Sequence, residues 1–256
     1  MPALQDKQSI LQKLRQRVRC VETASCALAP QHPAPCEWID PALFMTGLHE
    51  IIGDTPADFA AAQAFALSAA IQNGRAQRPL FFGTLARASQ ERGTLYGAGL
   101  HHFGLDPGRV LLFAAPSEKA LLWAAEEAAN CPALGGAIIV LGQREKLYGF
   151  TASRRLKLRQ QRSGVPLFLV RTMADEPTAA TTRWRIAFTP SQGLMAPSAP
   201  APLLGIPRFR VLLERYAGMP PRQWEVELDE THTLRVAAPV SHRPAYHRSA
   251  AQERAA

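Results

Sequence analysis

The stretch GLHEIIGDTPADFAAAQAFALSAA, residues 47–70, decides the fold of this chain. A short apolar run reaches Gly53, a loop follows, and an alanine-rich segment with helical composition comes next. A strand, a glycine loop and a helix N-terminus in that order make an anion-binding frame, because backbone N–H groups converge there. The stretch therefore predicts an α/β fold that begins with a phosphate-binding frame.

The loop itself lacks the side chains that hold a nucleotide. A working phosphate loop needs a second glycine, then lysine, then serine or threonine. Asp58, Phe59 and Ala60 stand at those positions. We therefore predict that the frame is kept for its shape and binds no cofactor; its residues are Gly53, Asp54, Thr55, Asp58, Phe59 and Ala60.

The acids that a nucleotide hydrolase needs are missing as well. An aspartate that holds Mg²⁺ would end the apolar run at 135–142, which ends in Leu141 and Gly142. No acid follows the apolar run near residue 80 before Glu91. Phosphoryl transfer depends on positioned charges, so we predict that the protein is not an enzyme. The alternative is a rearranged site in which Asp54 or Asp58 holds Mg²⁺; both are better explained as first-turn acids that complement the helix dipole.

Apolar runs and helical segments alternate through the first two thirds of the chain. Continuous apolar runs separated by helices are typical of a parallel sheet buried on both faces. They predict five parallel strands, at 48–52, around 80, and at 110–115, 135–142 and 165–171, with helices at 56–72, 92–104, 117–131 and 151–164. Ser117 and Thr151 are predicted N-caps, and Gly164 is a predicted helix end.

The pattern changes beyond residue 175. Segments such as TRWRIAF, PRFRVLLERY, QWEVEL and HTLRVAA alternate apolar with charged residues, as half-exposed antiparallel strands do. The predicted domains are an amphipathic helix at 1–24, a proline-rich linker at 25–45, the α/β domain at 46–238 and a disordered tail at 239–256. His49 and Glu50 in the first strand are interpreted as structural, and Glu126 and Glu127 as solvated helix charges.

Composition is that of a globular protein, with 256 residues, 47% hydrophobic and 20% charged. No stretch approaches the ~20 apolar residues of a membrane span, and the polar N-terminus predicts a cytoplasmic protein. Four cysteines are too scattered for a disulfide framework. Metal binding by Cys20, Cys26, Cys36 and His32 is disfavoured, because their spacing contains no CxxC pair.

The net charge of +8 is placed unevenly. Basic and acidic residues balance over 1–150, so the whole excess lies in 151–256. Such asymmetry points to nucleic acid or to an acidic partner surface, with a solvated basic face as the alternative. The candidate contacts to DNA or a partner are Arg154, Arg155, Lys157, Arg159, Arg183, Arg185, Arg208 and Arg210.

Several stretches together resemble the ImuA family, which is distantly similar to RecA and SulA. They are GLHEIIG, LYGAGLHHFGLDPGRVLLF, ALLWAAEEAANCPAL, FTASRRLKL, SGVPLFLVR, TRWRIAFTPS and GIPRFRVLLERYAGMPPRQWEVE, spread over residues 47–228. The resemblance implies a RecA-like core with a mostly parallel central sheet, antiparallel C-terminal strands and an N-terminal helix.

The same resemblance implies a function in DNA damage tolerance. ImuA proteins are accessory proteins of SOS mutagenesis that act with ImuB, a Y-family polymerase relative without catalysis, and with an error-prone DnaE-type polymerase. The expected role is a noncatalytic scaffold that binds an ImuB-like protein, contacts the DnaE-type polymerase indirectly, and contacts RecA. The alternatives are a single-stranded DNA-binding protein and a cell-division inhibitor of the SulA type.

Overall fold

The computed structural model describes residues 39–73, 75, 77–142, 146–172, 174, 176–191, 205–216, 221–228 and 234–236. The predicted N-terminal helix and tail lie outside the described residues, as do Cys20, Cys26, Cys36 and His32. The described part of the predicted linker, from residue 39 to 45, packs against the α/β domain rather than forming a separate linker. Ile39 and Phe44 are buried, and a 3₁₀ turn at Pro41–Phe44 leads into the first strand.

Among the described residues, nine strands form one sheet in the order β3-β2-β4-β5-β1-β6-β7-β8-β9. The strands are β1 Leu48–Ile52, β2 Leu80–Leu85, β3 Val110–Ala115, β4 Gly136–Val140, β5 Leu167–Arg171, β6 Thr182–Thr189, β7 Arg208–Tyr216, β8 Arg222–Leu228 and β9 Leu234–Val236. The helices are α1 Pro56–Gln72, α2 Ala86–Arg92, α3 Gly97–His102, α4 Glu118–Ala129 and α5 Phe150–Ser163.

The predicted fold class is confirmed at the level of the α/β architecture. Strands β3, β2, β4, β5, β1 and β6 run parallel to one another, and β7, β8 and β9 continue the sheet in antiparallel fashion. The prediction that β6 is an antiparallel strand is correct for its pairing with β7 and wrong for its pairing with β1. This strand pairs parallel with β1 and antiparallel with β7, so it joins the two parts of the sheet.

Helices cover the parallel strands on both faces. One apolar core lies between the sheet and α1, which is buried along most of its length, and it includes Leu100 of α3. The other core lies between the opposite face and the pair α4 and α5. Strands β1, β4 and β5 are buried at every position, as continuous apolar runs predict.

Three local predictions are wrong. The segment 92–104 does not form one helix, because Gly93 adopts a positive φ of 85° and separates α2 from α3. Strand β3 is not buried but forms an edge of the sheet, with Leu111 and Leu112 about half exposed. Thr151 is not a cap, because α5 starts one residue earlier, at Phe150, after Gly149.

Other helix ends follow the sequence signals. Ser117 caps α4 by accepting a hydrogen bond from the Ala120 N–H at 3.2 Å. Gly164 ends α5 in the left-handed conformation, φ 71°, that glycine adopts without strain. Within the described ranges, no helix has both the length and the apolar character needed to cross a membrane.

Candidate functional site

The connection between β1 and α1 is short and closed by its own side chains. Only Gly53, Asp54 and Thr55 separate the strand from the helix. The Thr55 hydroxyl accepts from the Asp58 N–H at 3.2 Å, and the Asp58 carboxylate accepts from the Thr55 N–H at 3.1 Å. This reciprocal capping box uses N–H groups that a phosphate would otherwise bind.

Gly53 brings the strand against the first turn of α1. A Cβ atom added at this position would lie 2.5 Å from the carbonyl carbon and oxygen of Asp58 and from the nitrogen of Phe59. These are backbone atoms of a packed helix, so they cannot move aside without displacing the helix. The strand end is therefore packed directly against the first turn of the helix, and no residue larger than glycine fits at position 53.

We expect Gly53→Ala to lower the free energy of unfolding by about 1–3 kcal/mol, because the added methyl group overpacks the contact with α1. Urea unfolding of the purified chain measures the effect. The matched control is Gly99→Ala in α3, where the nearest atom to the added Cβ is 3.7 Å away and alanine favours the helix. Equal stability of the two variants would contradict the close packing at Gly53.

Asp54 in the loop and Asp58 in the first turn of α1 are both bound by donors of the protein itself. Asp54 accepts two hydrogen bonds from the Arg185 guanidinium, at 2.6 and 2.7 Å, and Arg185 also bonds Glu214 at 2.5 Å. Burial alone would lower the pKa of Arg185, but the hydrogen bonds to Glu214 and Asp54 raise it above its ordinary value. Arg185 thus neutralises the charge of Asp54 and connects the loop to β6 and β7.

Asp58 is satisfied in the same way. Its second carboxylate oxygen accepts from the Phe188 N–H at 2.7 Å. Burial would raise the pKa of Asp58, but the hydrogen bonds from Thr55 and from the Phe188 backbone hold it below the ordinary value. In the described part of the chain no group of three or more histidine, cysteine, aspartate or glutamate side chains is arranged to hold a metal ion.

Phe59, which stands where the lysine of a phosphate loop would be, points into the protein. Its side chain is buried, and the Arg92 guanidinium lies over its ring, 4.9 Å from the ring centre. The ring forms one wall of a cavity of about 100 Å³ between α1, α2 and the carboxyl ends of β2 and β4. Ala60, the next residue of α1, is exposed.

Glu50 lies at the centre of a buried ionic cluster. Its carboxylate is fully buried and contacts Arg171 at 3.4 Å and Arg183 at 2.9 Å. It also accepts a hydrogen bond from the Thr178 hydroxyl at 2.7 Å. Arg171 lies over the ring of Tyr148, and burial, followed by the charge of Glu50, raises the pKa of this phenol well above its ordinary value. These contacts support the structural interpretation of Glu50.

His49 is buried on the other face of β1. Its Nδ1 atom lies 2.8 Å from the Thr182 hydroxyl, and its ring stacks on Phe168. Burial lowers the pKa of His49 from 6.5 to about 4, against a smaller upward contribution from a hydrogen bond with the Thr46 backbone. The imidazole is therefore neutral in the folded protein at neutral pH.

This burial predicts a pH dependence of stability. Below pH 6.5 the unfolded chain protonates His49 while the folded chain does not until about pH 4, so stability falls as the pH is lowered. Between pH 6.5 and 5.5 we expect a loss of about 1 kcal/mol from this residue. Urea unfolding of the wild type and of His49→Gln measures it. If the free energy of unfolding depended on pH equally in both proteins, His49 would not be the source of the dependence.

The structure places most of the candidate contact residues in ion pairs with the chain's own carboxylates. Six of the eight have such a partner: Arg155 and Arg159 with Glu126, Arg183 with Glu50, Arg185 with Asp54 and Glu214, Arg208 with Glu227, and Arg210 with Glu225. Arg154 and Lys157 have no carboxylate partner among the described residues. The interpretation of Glu126 as a solvated charge is wrong, because it joins α4 to α5 and is only 12% exposed.

The sequence did not single out Arg92, Arg171 or Tyr148. Each of them contacts a residue that is distant in the sequence. Arg92 lies over the ring of Phe59, and Arg171 contacts both Glu50 and the ring of Tyr148. The one local signal was an arginine at the end of the apolar run VPLFLVR, where a charge on a buried strand calls for a partner.

No family model matches the chain, and no curated protein matches it. The class that the structure defines is an α/β protein with a mostly parallel sheet, an antiparallel extension, and a strand–loop–helix frame closed by its own carboxylates.

Proposed function

We propose that this chain is a RecA-like, noncatalytic accessory protein of an SOS-induced translesion synthesis complex, as its resemblance to the ImuA family implies. Its partners in the proposal are an ImuB-like Y-family polymerase relative, a DnaE-type error-prone polymerase reached through that relative, and RecA. The protein acts by protein–protein contacts in DNA damage tolerance.

One observation carries the noncatalytic part of the proposal. The place of a nucleotide phosphate is taken by the capping box of Thr55 and Asp58 and by the Asp54–Arg185 ion pair. Two carboxylates at the helix N-terminus repel an anion, and the arginine that could attract one is already bound. A frame of this kind has the shape of a nucleotide site without its chemistry, which fits a protein that keeps the fold for binding other proteins.

The pairing of the arginines favours the scaffold over direct DNA binding. A protein that binds DNA through its phosphates needs free cations, and its affinity then falls steeply with salt. Six of the eight candidate residues are bound to carboxylates within the chain. Ion pairs across α4 and α5 and across β6, β7 and β8 support packing between elements instead.

The test is gentle purification of the tagged chain from DNA-damaged cells, with the untagged strain as control. Recovery of an ImuB-like protein together with a DnaE-type polymerase supports the proposal. Recovery of a cell-division protein supports the SulA-type alternative. Salt-sensitive binding to a single-stranded oligonucleotide without any protein partner supports the DNA-binding alternative, and either of these results overturns the scaffold.

A second measurement addresses catalysis directly. We expect the purified chain to show no ATP turnover above a heat-inactivated sample, and no ATP-dependent shift of its melting temperature, because Gly53, Asp54 and Thr55 carry no positive charge and Arg185 beside them is bound to Asp54 and Glu214. A shift of melting temperature with Mg²⁺ and ATP would overturn the noncatalytic assignment.

A further inference from the structure

The edge of the sheet at β3 has the features of a strand-binding surface. In the described part of the chain β3 pairs only with β2, so the backbone groups on its outer side have no strand partner. All six of its residues, VLLFAA, are apolar. It lacks the lysines and prolines with which edge strands commonly prevent pairing with other chains.

Leucine side chains are exposed on both faces of this edge. Leu111 is 52% exposed and Leu112 is 50% exposed. Consecutive residues of a strand point to opposite faces, so an additional strand beside β3 covers both of them. Main-chain hydrogen bonds to such an edge give affinity, and pockets for alternate side chains give specificity.

A pocket lies next to Leu112 on the face that carries α1. It is the cavity of about 100 Å³ described above, with Phe59, Phe82, Leu95, Leu112 and Val140 as apolar walls. Its volume is smaller than the ~150 Å³ of a cavity that holds benzene, so it accepts one aliphatic side chain rather than a nucleotide. Its position at the carboxyl ends of parallel strands is where open α/β sheets bind their ligands.

Arg92 gives the pocket a positive charge at its rim. The guanidinium is held over Phe59, and the residue is exposed with no carboxylate partner among the described residues. Arg87, on the same helix, is by contrast paired with Glu91. The charge of Arg92 is therefore available to a carboxylate from outside the described fold.

We propose that the β3 edge and this pocket bind an extended segment of a partner protein, one that pairs with β3 and places an aliphatic side chain in the pocket and a carboxylate on Arg92. The proposal rests on the proposed function only for the identity of the partner. A second copy of this chain fits less well, because β3 itself carries no acid to meet Arg92.

Selection of short random peptides displayed on phage against the full chain tests the surface without knowledge of the partner. We expect the enriched peptides to combine apolar residues with an acid and, as synthetic peptides, to bind at least about ten-fold more weakly to Arg92→Glu. Leu112→Thr, which keeps a strand-forming residue, is expected to weaken binding as well. The matched control is Arg87→Glu, an exposed charge reversal on the same helix, which is expected to leave binding unchanged.

Hydrogen exchange gives the position of the bound segment. With the peptide present, outward-facing amides of 110–115 are expected to exchange more slowly, whereas strands inside the sheet are unchanged. Three results overturn the proposal: no enriched peptide, binding that Arg92→Glu and Leu112→Thr leave intact, or a dimer of the chain that protects 110–115 without peptide. None of them depends on which proteins are recovered from damaged cells, so the surface and the proposed function fail separately.

Discussion

Glu50→Gln is expected to lower the free energy of unfolding by about 3–5 kcal/mol, one of the two largest effects we predict for a single substitution in this chain. Glutamine has nearly the same shape as glutamate, so the change removes a charge with little change in volume. Arg171 and Arg183, whose side chains are 4% and 11% exposed, then remain buried with their main counterion gone. Among the described residues, Arg171 keeps only the exposed carboxylate of Glu176, at 3.4 Å, and Arg183 keeps only neutral oxygens of Glu176 and Thr178. Removing one partner of a buried ion pair is strongly destabilising, because the remaining charge stays desolvated.

The control for this prediction is Glu91→Gln. Glu91 also pairs with an arginine, Arg87 at 3.7 Å, but both side chains are more than half exposed. Water screens such a pair, so the same chemical change is expected to alter stability by less than about 0.5 kcal/mol. Urea unfolding of the two variants beside the wild type compares them. If both substitutions lowered the free energy of unfolding by similar amounts, the Glu50 cluster would be solvated rather than buried.

Trp184→Ala is expected to lower the free energy of unfolding by a similar amount, about 3–5 kcal/mol, but for a different physical reason. The indole ring is fully buried and packs against Phe44, Phe65 and Trp224, with ring centres 5.3 to 6.2 Å apart. Its Nε1–H donates to the Thr182 hydroxyl at 2.7 Å. Alanine leaves a cavity between β6 and α1 and removes a donor from Thr182, which also bonds His49.

Trp123→Ala is the matched control, because Trp123 on α4 is 63% exposed. The same truncation at a solvent-facing position is expected to change stability by less than about 0.5 kcal/mol. Chemical unfolding followed by far-ultraviolet circular dichroism avoids the loss of tryptophan fluorescence in either variant. A loss of stability at Trp123 as large as that at Trp184 would contradict the assignment of Trp184 to the core.

Much of the local structure followed from the sequence because its causes are local. Apolar runs gave β1, β4 and β5, and helix α1 ends where the sequence predicts, at Gln72 before Asn73. The alternation in TRWRIAF also gives the two faces of β6 correctly, since Trp184 and Ile186 are fully buried on one face, whereas the side chains of Arg183 and Arg185 on the other are 11% and 26% exposed. Alternation gives the two faces of a strand, but it does not give the direction of the neighbouring strand, and the parallel pairing of β6 with β1 was missed for that reason.

The charges were the least predictable feature. Glu50 meets Arg171 across 121 residues of sequence, and Arg185 meets Asp54 across 131. Strand order decides such meetings, because β5 and β6 lie on either side of β1. The basic C-terminal half pointed to contacts with DNA or a partner, with a solvated basic face as the alternative. The structure instead brings six of the eight candidate residues to carboxylates of the chain itself, four through the sheet and two between α4 and α5.

The sequence by itself determined that this protein is α/β, where most of its strands and helices lie, and that its glycine loop lacks the lysine of a nucleotide site. Those properties depend on the period of apolar residues and on the identity of single side chains. Only the tertiary structure decided that Asp54, Asp58 and Arg185 close the loop, that Glu50 is buried between arginines, and that β3 is an open edge beside a pocket. Each of these depends on which elements become neighbours, and strands far apart in sequence become neighbours through the packing of the whole sheet.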